Sequence, residues 1–298
     1  MQCSKCGMNA VFFQEYSGLY LCRQHFDTDV ETKAKHEIRN RQWITNGDHI
    51  AVALSGDAVS SALLFFLKKL TLNRRDIRIS AITIEEGIAG YHCAGAARQI
   101  AECFDTECIV GSFKETFGTT YDEIACAKGL AISCTCCHIR RDFLLSRIAL
   151  EHGITKLAFG YTLDDAAISV LKNVLRGSPE TLANPDHHFS GKLPRIAPFI
   201  AVPEKEVILY ADLHVNGYDQ SPCPYYDQPF EDDVYALLND FTHRHPGTKY
   251  ALLGLEKNLS GIYVSIDNSI HSGEHCCKIA DGICENCRII NERISNGT

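Results

Sequence analysis

The sequence predicts an α/β fold, a Rossmann-like parallel sheet with helices on both faces. Two observations carry it: short apolar runs alternate with helix-length stretches, and the first such run ends in a Gly-bearing turn that opens a helix. The 298 residues are 45% hydrophobic, ample for a buried core, and the length calls for one central domain with appendages.

Residues 1–26 are Cys-bearing and rich in aromatics, and the charged amphipathic stretch from Thr28 to Trp43 reads as a linker helix. Ile50 to Leu54 is then a short apolar strand, Ser55-Gly56-Asp57 a turn, and Val59 to Leu70 a helix. A second strand is expected over Ile77–Ile84, a helix over Ala94–Phe104 and a third strand over Thr106–Val110. Further on, Arg140–His152 reads as a helix, Lys156–Gly160 as a fourth strand and Asp164–Leu175 as a helix. Such β-α units place ligands at the C-terminal ends of the strands. After Gly177 the composition shifts to Pro, His and Asn, and Pro194–Pro203 reads as a loop with strand fragments. Pro203 and the acidic residues after it open another helix, and Phe230–His243 forms one more. Residues 271–287 are again rich in Cys and His, and no internal repeat is present.

No run of about 18 apolar residues occurs, and the chain opens Met1-Gln2-Cys3-Ser4-Lys5-Cys6 instead of with a basic and then apolar signal. A soluble cytoplasmic protein with no membrane partner is expected. The net charge of −8 counts against nucleic-acid binding through a broadly basic surface. Local basic groups occur at Lys68-Lys69, Arg74-Arg75, Arg140-Arg141 and Lys172 with Arg176, each also compatible with an ordinary solvated helix face.

Fifteen cysteines in such a chain argue for metal chemistry over disulfides, because reducing compartments keep thiols free and thiolates are soft ligands. Cys3-x2-Cys6 and Cys22-x2-His25 form two knuckles, each expected in a tight turn, that supply four ligands to a tetrahedral, structural ion. Cys134 and Cys137 repeat the knuckle spacing, and Cys223 lies in a distant Pro-flanked loop. Three thiolates suit a cubane cluster with one open iron or a zinc ion with one open position, and the Cys-x-x-Cys pair also suits redox work. Cys93, Cys103, Cys108 and Cys126 lack ligand spacing and are expected to be buried as small apolar side chains. Near the C-terminus, Cys284-x2-Cys287 is a clean half-site; its partner half, Glu274-His275-Cys276-Cys277, holds adjacent cysteines, so His271 or His275 is expected to complete a second zinc set.

The turn Ala53-Leu54-Ser55-Gly56-Asp57-Ala58-Val59-Ser60-Ser61 follows a strand and starts a helix, which aims backbone N–H groups at an anion; a purely steric use of Gly and Ser there explains it equally well. The stretch resembles the PP-loop of N-type ATP pyrophosphatases, Ser-Gly-Gly-x-Asp-Ser, aligned on Ser55, Gly56 and Ser60. Asp57 replaces the second Gly and Val59 the Asp. The first change puts a carboxylate where pyrophosphate would lie, unless Asp57 substitutes for the missing acid from a displaced position.

Across nearly the whole chain the sequence resembles the tRNA 2-thiolation family of TtuA type. The matching segments are the Cys3/Cys6/Cys22/His25 finger, Ile84 to Tyr91, Cys134 to Arg141, Gly160 to Asp165, Leu175-Arg176-Gly177, Pro203 to Val207, Cys223-Pro224-Tyr225 and the terminal cysteine pair. The resemblance implies a PP-loop ATP pyrophosphatase-like domain over residues 49–228, preceded by a zinc finger at 1–27 and a linker helix at 28–48. A helical region and zinc module would follow at 229–298. It implies that Cys134, Cys137 and Cys223 hold a [4Fe–4S] cluster, with Cys136 an extra thiol that competes with Cys137. Ala53, Leu54, Ser55, Gly56, Asp57, Ser60, Ser61, Ile84 and Gly160 would bind ATP with Mg²⁺, and Cys276, Cys277, Cys284, Cys287 and His275 a second Zn²⁺. Asp164 and Asp165 would lie in the active site, although capping a helix N-terminus is the commoner use of Asp there. Arg141 would contact substrate or nucleotide, and Arg176 and Gly177 would approach the phosphates or the tRNA.

The implied reaction is ATP-dependent adenylation of a tRNA uridine C2 oxygen followed by sulfur insertion. Sulfur would come from a ubiquitin-like carrier or free sulfide, and the protein would be a homodimer. Two other readings stay open: a paralogue that binds tRNA or carries the cluster without ATP turnover, and an ATP-independent sulfurtransferase or desulfidase.

Overall fold

The computed structural model describes residues 1–91, 93–128, 130–178 and 193–266. A two-stranded antiparallel hairpin, β1 (Phe12–Gln14) and β2 (Leu19–Leu21), leads into α1 (Arg23–Asn40). The main body follows as β3 (His49–Ala53), α2 (Ala58–Thr71), β4 (Arg78–Glu85), α3 (Cys93–Cys103) and β5 (Cys108–Ser112). Next come α4 (Phe113–Phe117), α5 (Tyr121–Lys128), α6 (Leu130–Glu151), β6 (Lys156–Ala158), α7 (Leu163–Arg176) and β7 (Arg195–Ile196). Helices α8 (Glu204–His214), α9 (Pro229–Arg244) and α10 (Thr248–Ile266) complete the described chain.

The five strands β3 to β7 form one sheet in the order β5-β4-β3-β6-β7, and all four pairings are parallel. Successive residues of β3 point to opposite faces, so Ile50 and Val52 join one core and Ala51 the other. The first face is covered by α1, α2, α3 and α8 through Phe26, Phe66, Ile100 and Tyr210. On the second, Ile82 and Ile84 of β4 pack against Leu144, Leu145 and Ile148 of α6. A smaller core joins Leu163 and Ala166 of α7 to Leu253 of α10. Burying side chains of the Leu and Phe type contributes about 1.5–3 kcal/mol each, so the run Leu63, Leu64, Phe66, Leu67 pins α2 firmly to the sheet. Strand order reverses at β3, with β4 and β5 on one side and β6 and β7 on the other, and such a point opens a crevice at the carboxyl ends of the strands.

Several elements differ from the sequence reading. The expected linker helix begins earlier, at Arg23 inside the metal module, and is an integral layer of the core: Phe26, Val30, Ala34 and Ile38 are all buried. The third strand lies at Cys108–Ser112, two residues beyond the expected Thr106–Val110. Helix α6 starts ten residues before Arg140, because the Cys-rich segment reads locally as a knuckle turn while its backbone hydrogen bonds are helical. Helices α4 and α5 were not anticipated. Cys103 and Cys126 are exposed and Cys108 is half-buried, contrary to the expected burial; Cys103 ends α3, where the chain turns out to solvent. Among the described residues no helix is long and apolar enough to cross a membrane.

Candidate functional site

The N-terminal module brings four ligands together. Cys3, Cys6, Cys22 and His25 offer atoms that all lie within 4.8 Å of one another. Cys3 Sγ and Cys22 Sγ stand 3.5 and 3.4 Å from His25 Nδ1, and Cys6 Sγ is 3.7 Å from Cys22 Sγ. A zinc tetrahedron with Zn–S bonds of ~2.3 Å has S···S edges of about 3.8 Å, so the donor set fits that ion. Only the first pair sits in a turn. Cys22 is the N-cap residue of α1 and His25 lies in its first turn, so the second pair is fixed by helix geometry.

The second site lies at the crevice after β3. A cavity of about 310 Å³ is lined there by Ala53, Leu54, Ser55, Asp57 and Ser60 of the turn. Ile84 and Glu86 at the end of β4, Arg141 of α6 and Gly160 after β6 close it. Gly56 takes φ of +88°, a left-handed conformation suited to glycine, and its carbonyl accepts from Asp219 N at 2.8 Å. Gly160 is required for a different reason: a Cβ there would come within 3.1 Å of Ser60 N. Ser61 is fully buried, and neither it nor Gly56 lines the cavity.

Asp57 is the decisive side chain of the turn. It is the N-cap of α2, with Oδ1 accepting from Ser60 N at 2.7 Å and Oδ2 from Ser55 Oγ at 2.6 Å. A helix N-terminus carries unpaired N–H groups and partial positive charge, the features that bind phosphate. Here an internal carboxylate takes one of those donors and the loop hydroxyl as well.

The two downstream acids are placed otherwise. Asp164 is buried outside the cavity, where it accepts from Glu204 N at 2.8 Å and pairs with Lys249 of α10. Asp165 forms a capping box with Thr162, accepting from Thr162 N at 2.8 Å and from its hydroxyl at 2.7 Å. Burial pushes the Asp165 carboxyl above the usual carboxylate range; Asp164 and Asp57 add to this, against the hydrogen bonds from Thr162. Asp165 therefore serves the start of α7, while Asp164 ties the start of α8 to α10.

Beside the cavity, Cys137 and Cys223 share one apolar cluster, and Cys134 is tied to it through Tyr225. Cys134 and Cys137, one turn apart on α6, share a face, whereas Cys136 is rotated about 200° from Cys134 and points elsewhere. Cys134 Sγ donates to the Tyr225 carbonyl at 3.4 Å, and Cys223 and Tyr225 pack on the same apolar cluster as Cys137. Among the described residues only the N-terminal ligands fall within 4.8 Å of one another as a group, so the triad is spread more widely than one tetrahedral ion needs. Three sulfur donors suit an iron–sulfur group by their chemistry, as soft ligands for iron.

Arg141 links the two halves of the site. Its Nη2 lies 2.8 Å from Glu86 Oε1 and donates to Cys137 Sγ at 3.5 Å, and its Nε donates to the same carboxylate oxygen at 3.0 Å. Burial pushes the Cys137 thiol up to about 11, with the nearby Arg141 guanidinium opposing. Burial also disfavours charge on Arg141, but Glu86 and Cys137 outweigh it and raise its pKa. The sequence reading did not single out Glu86, Tyr91, His138 or Tyr161, which also line the cavity. Glu86 sits in the Ile84–Tyr91 segment, yet nothing in sequence pairs it with Arg141. Arg176 caps Phe230 with its guanidinium carbon 4.6 Å from the ring centroid, and Gly177 ends α7 in a left-handed conformation. The expected ligands His275, Cys276, Cys277, Cys284 and Cys287 lie outside the described residues.

Residues 2–27 match the family described as 2-thiouridine synthetase TtuA, N-terminal LIM domain. The chain is 30% identical to the tRNA 2-thiolation protein NcsA of Haloferax volcanii, over 97% of this chain and 98% of that protein. It is 29% identical to the tRNA-5-methyluridine(54) 2-sulfurtransferase of Pyrococcus horikoshii, over 84% and 80%. Among solved structures it resembles the U34-tRNA thiolase NcsA from Methanococcus maripaludis with its [4Fe–4S] cluster. The TM-score is 0.78 and the identity 31%, covering 94% of this chain and 91% of that one.

Proposed function

The chain belongs to the tRNA 2-thiolation family of NcsA and TtuA, and from that membership we propose that it is a tRNA-uridine 2-sulfurtransferase. The observation that supports this reading is that Cys137 and Cys223 share one apolar cluster next to Arg141 of the cavity, with Cys134 bonded to the Tyr225 carbonyl beside them. These three residues would hold a [4Fe–4S] cluster, which supplies an iron without a protein ligand where sulfur can bind. Cys3, Cys6, Cys22 and His25 hold a structural Zn²⁺ that ties the hairpin to α1.

The substrates of this reading are tRNA, ATP with Mg²⁺, and sulfur from a ubiquitin-like carrier or free sulfide. In the reaction the uridine C2 oxygen attacks the α-phosphorus and pyrophosphate leaves; sulfur then adds at C2 and AMP leaves with the oxygen. The chain's contribution is placement. Ser55 and Ser60 face the phosphates, Gly160 lets that turn approach the neighbouring strand, and Arg141 offers positive charge between the turn and the thiolates. Asp57 must leave Ser60 N for a phosphate to take its place. A homodimer completes the proposal.

The capping role of Asp57 favours a second reading, in which the same fold and cluster work without ATP turnover. Protein prepared without oxygen and supplied with tRNA, sulfide and ATP separates the two. AMP together with 2-thiouridine is expected for the ATP-dependent enzyme. Thiouridine that ignores ATP supports the second reading, and a bound cluster with neither product overturns both enzymatic readings and points to a paralogue that carries the cluster without turnover.

A further inference from the structure

We propose that Glu86 is a positioning residue that works through Arg141, holding its guanidinium against the Cys137 sulfur. The inference rests on the functional reading above, in which Cys137 is a cluster ligand.

Arg141 follows Cys137 by four positions on α6, so the two side chains share a helix face. That spacing alone leaves a long, flexible side chain free to extend into the cavity that it lines. Glu86 removes the freedom: one carboxylate oxygen receives both Nε and Nη2, at 3.0 and 2.8 Å, and the same Nη2 reaches Cys137 Sγ at 3.5 Å.

The carboxylate is itself anchored. Glu86 is buried, and its carbonyl accepts from Tyr121 N at 2.7 Å. The next residue, Gly87, has φ of +75° and runs so close to Thr120 that a Cβ would stand 2.7 Å from it. The end of β4 and the start of α5 thus form one rigid mount, and Arg141 spans from it to the thiolate. An N–H donor on a ligating sulfur is one of the features that set a cluster's electronic state. In this arrangement Glu86 need not touch substrate; it fixes the direction of the donor and balances its charge.

The test uses the full-length chain carrying its cluster, prepared without oxygen, as wild type, Glu86→Gln, Glu86→Ala, Arg141→Gln and the Glu86→Ala/Arg141→Gln double variant. Cluster content, the electron paramagnetic resonance spectrum of the reduced cluster, and kcat and KM for thiolation are measured on each. Both Glu86 variants are expected to keep the cluster and to shift its spectrum as Arg141→Gln does. In Glu86→Ala, kcat falls by about 100-fold with KM for tRNA unchanged, as for a misdirected reactive group. The double variant is expected to be no worse than Arg141→Gln alone, because the two residues act as one unit.

Wild-type spectra and kcat in Glu86→Gln overturn the proposal, and so do additive losses in the double variant. If Glu86→Ala does not fold, the equal-sized Glu86→Gln decides. A wild-type protein that takes up no cluster overturns the functional reading and this inference together, whereas a loaded, active wild type with an unresponsive Glu86→Gln overturns this inference alone.

Discussion

Replacing Asp57 should increase the affinity of the turn after β3 for pyrophosphate. The Asp57 carboxylate lies 2.7 Å from Ser60 N and 2.6 Å from Ser55 Oγ, so an anion seated on those donors would meet a like charge within about 5 Å. At that distance two unit charges repel by about 1 kcal/mol in water and about 3 kcal/mol at an effective dielectric constant near 20. Removing one is therefore worth about 5- to 150-fold in affinity, at 1.4 kcal/mol per factor of ten. Asp57→Gly removes charge and cap together, at a cost to α2 of only a few tenths of a kcal/mol by comparison with other caps, so ~0.3 kcal/mol is expected. Asp57→Asn keeps a capping oxygen and removes the charge alone. Calorimetric titration with metal-free pyrophosphate should give tighter binding for both variants, more so for Asp57→Gly, and Mg²⁺ should narrow the gap from wild type by screening the carboxylate. If neither variant binds pyrophosphate more tightly than wild type, Asp57 does not compete with phosphate and the reasoning fails.

Other expectations follow from the same geometry. Substituting Cys136 by Ala should leave the cluster's absorption spectrum intact, whereas Ala at Cys134, Cys137 or Cys223 should abolish it, since Cys136 points off the shared face. Lys249→Met strands the buried Asp164 carboxylate without its partner and should lower stability by about 3–5 kcal/mol in urea unfolding. Cys22→Ala, or a strong zinc chelator on wild type, should lower the melting temperature beyond the loss of a surface finger, because Cys22 also starts α1 and the core residues Phe26 and Val30 follow from it. Burial alone would raise the Asp48 carboxyl, but the Lys156 ammonium and hydrogen bonds from Thr45 and Thr155 hold it below its ordinary value. A lowered folded-state pKa contributes stability above the unfolded value and loses it as pH falls through the folded one. The stability gap between wild type and Asp48→Asn should therefore persist above about pH 4 and close below it.

Local pattern determined much of this protein. The alternation of apolar runs and amphipathic stretches specified the parallel sheet, because burial on both faces leaves a periodic trace in sequence. Knuckle spacing specified the N-terminal metal module, since ligands separated by two residues are brought to one side by a tight turn or by a helix's first turn alike. The turn at Ser55–Ser60 was legible as a junction between strand and helix, but the capping role of Asp57 was not, because its carboxylate was read only against phosphate. Cys134 and Cys137 stood out as a pair, but their shared helix face did not: a segment poor in charge and dense in cysteine carries no helical period to read.

What only the tertiary structure decided are the meetings across long separations. Cys223 comes to the cluster that holds Cys137 from a loop more than eighty residues on, packing there with Tyr225. Asp164 was drawn away from the cavity by Lys249, and Asp165 by its cap on α7, two uses of acid that one adjacent pair of letters cannot tell from catalysis. Arg141 was expected at the site, but Glu86 was not, and their pairing appeared only where the end of β4 meets α6. Periodicity and capping depend on neighbours within one turn, so the sequence carries them openly; ion pairs and ligand sets depend on where elements finally stack, which is written only in the packed core.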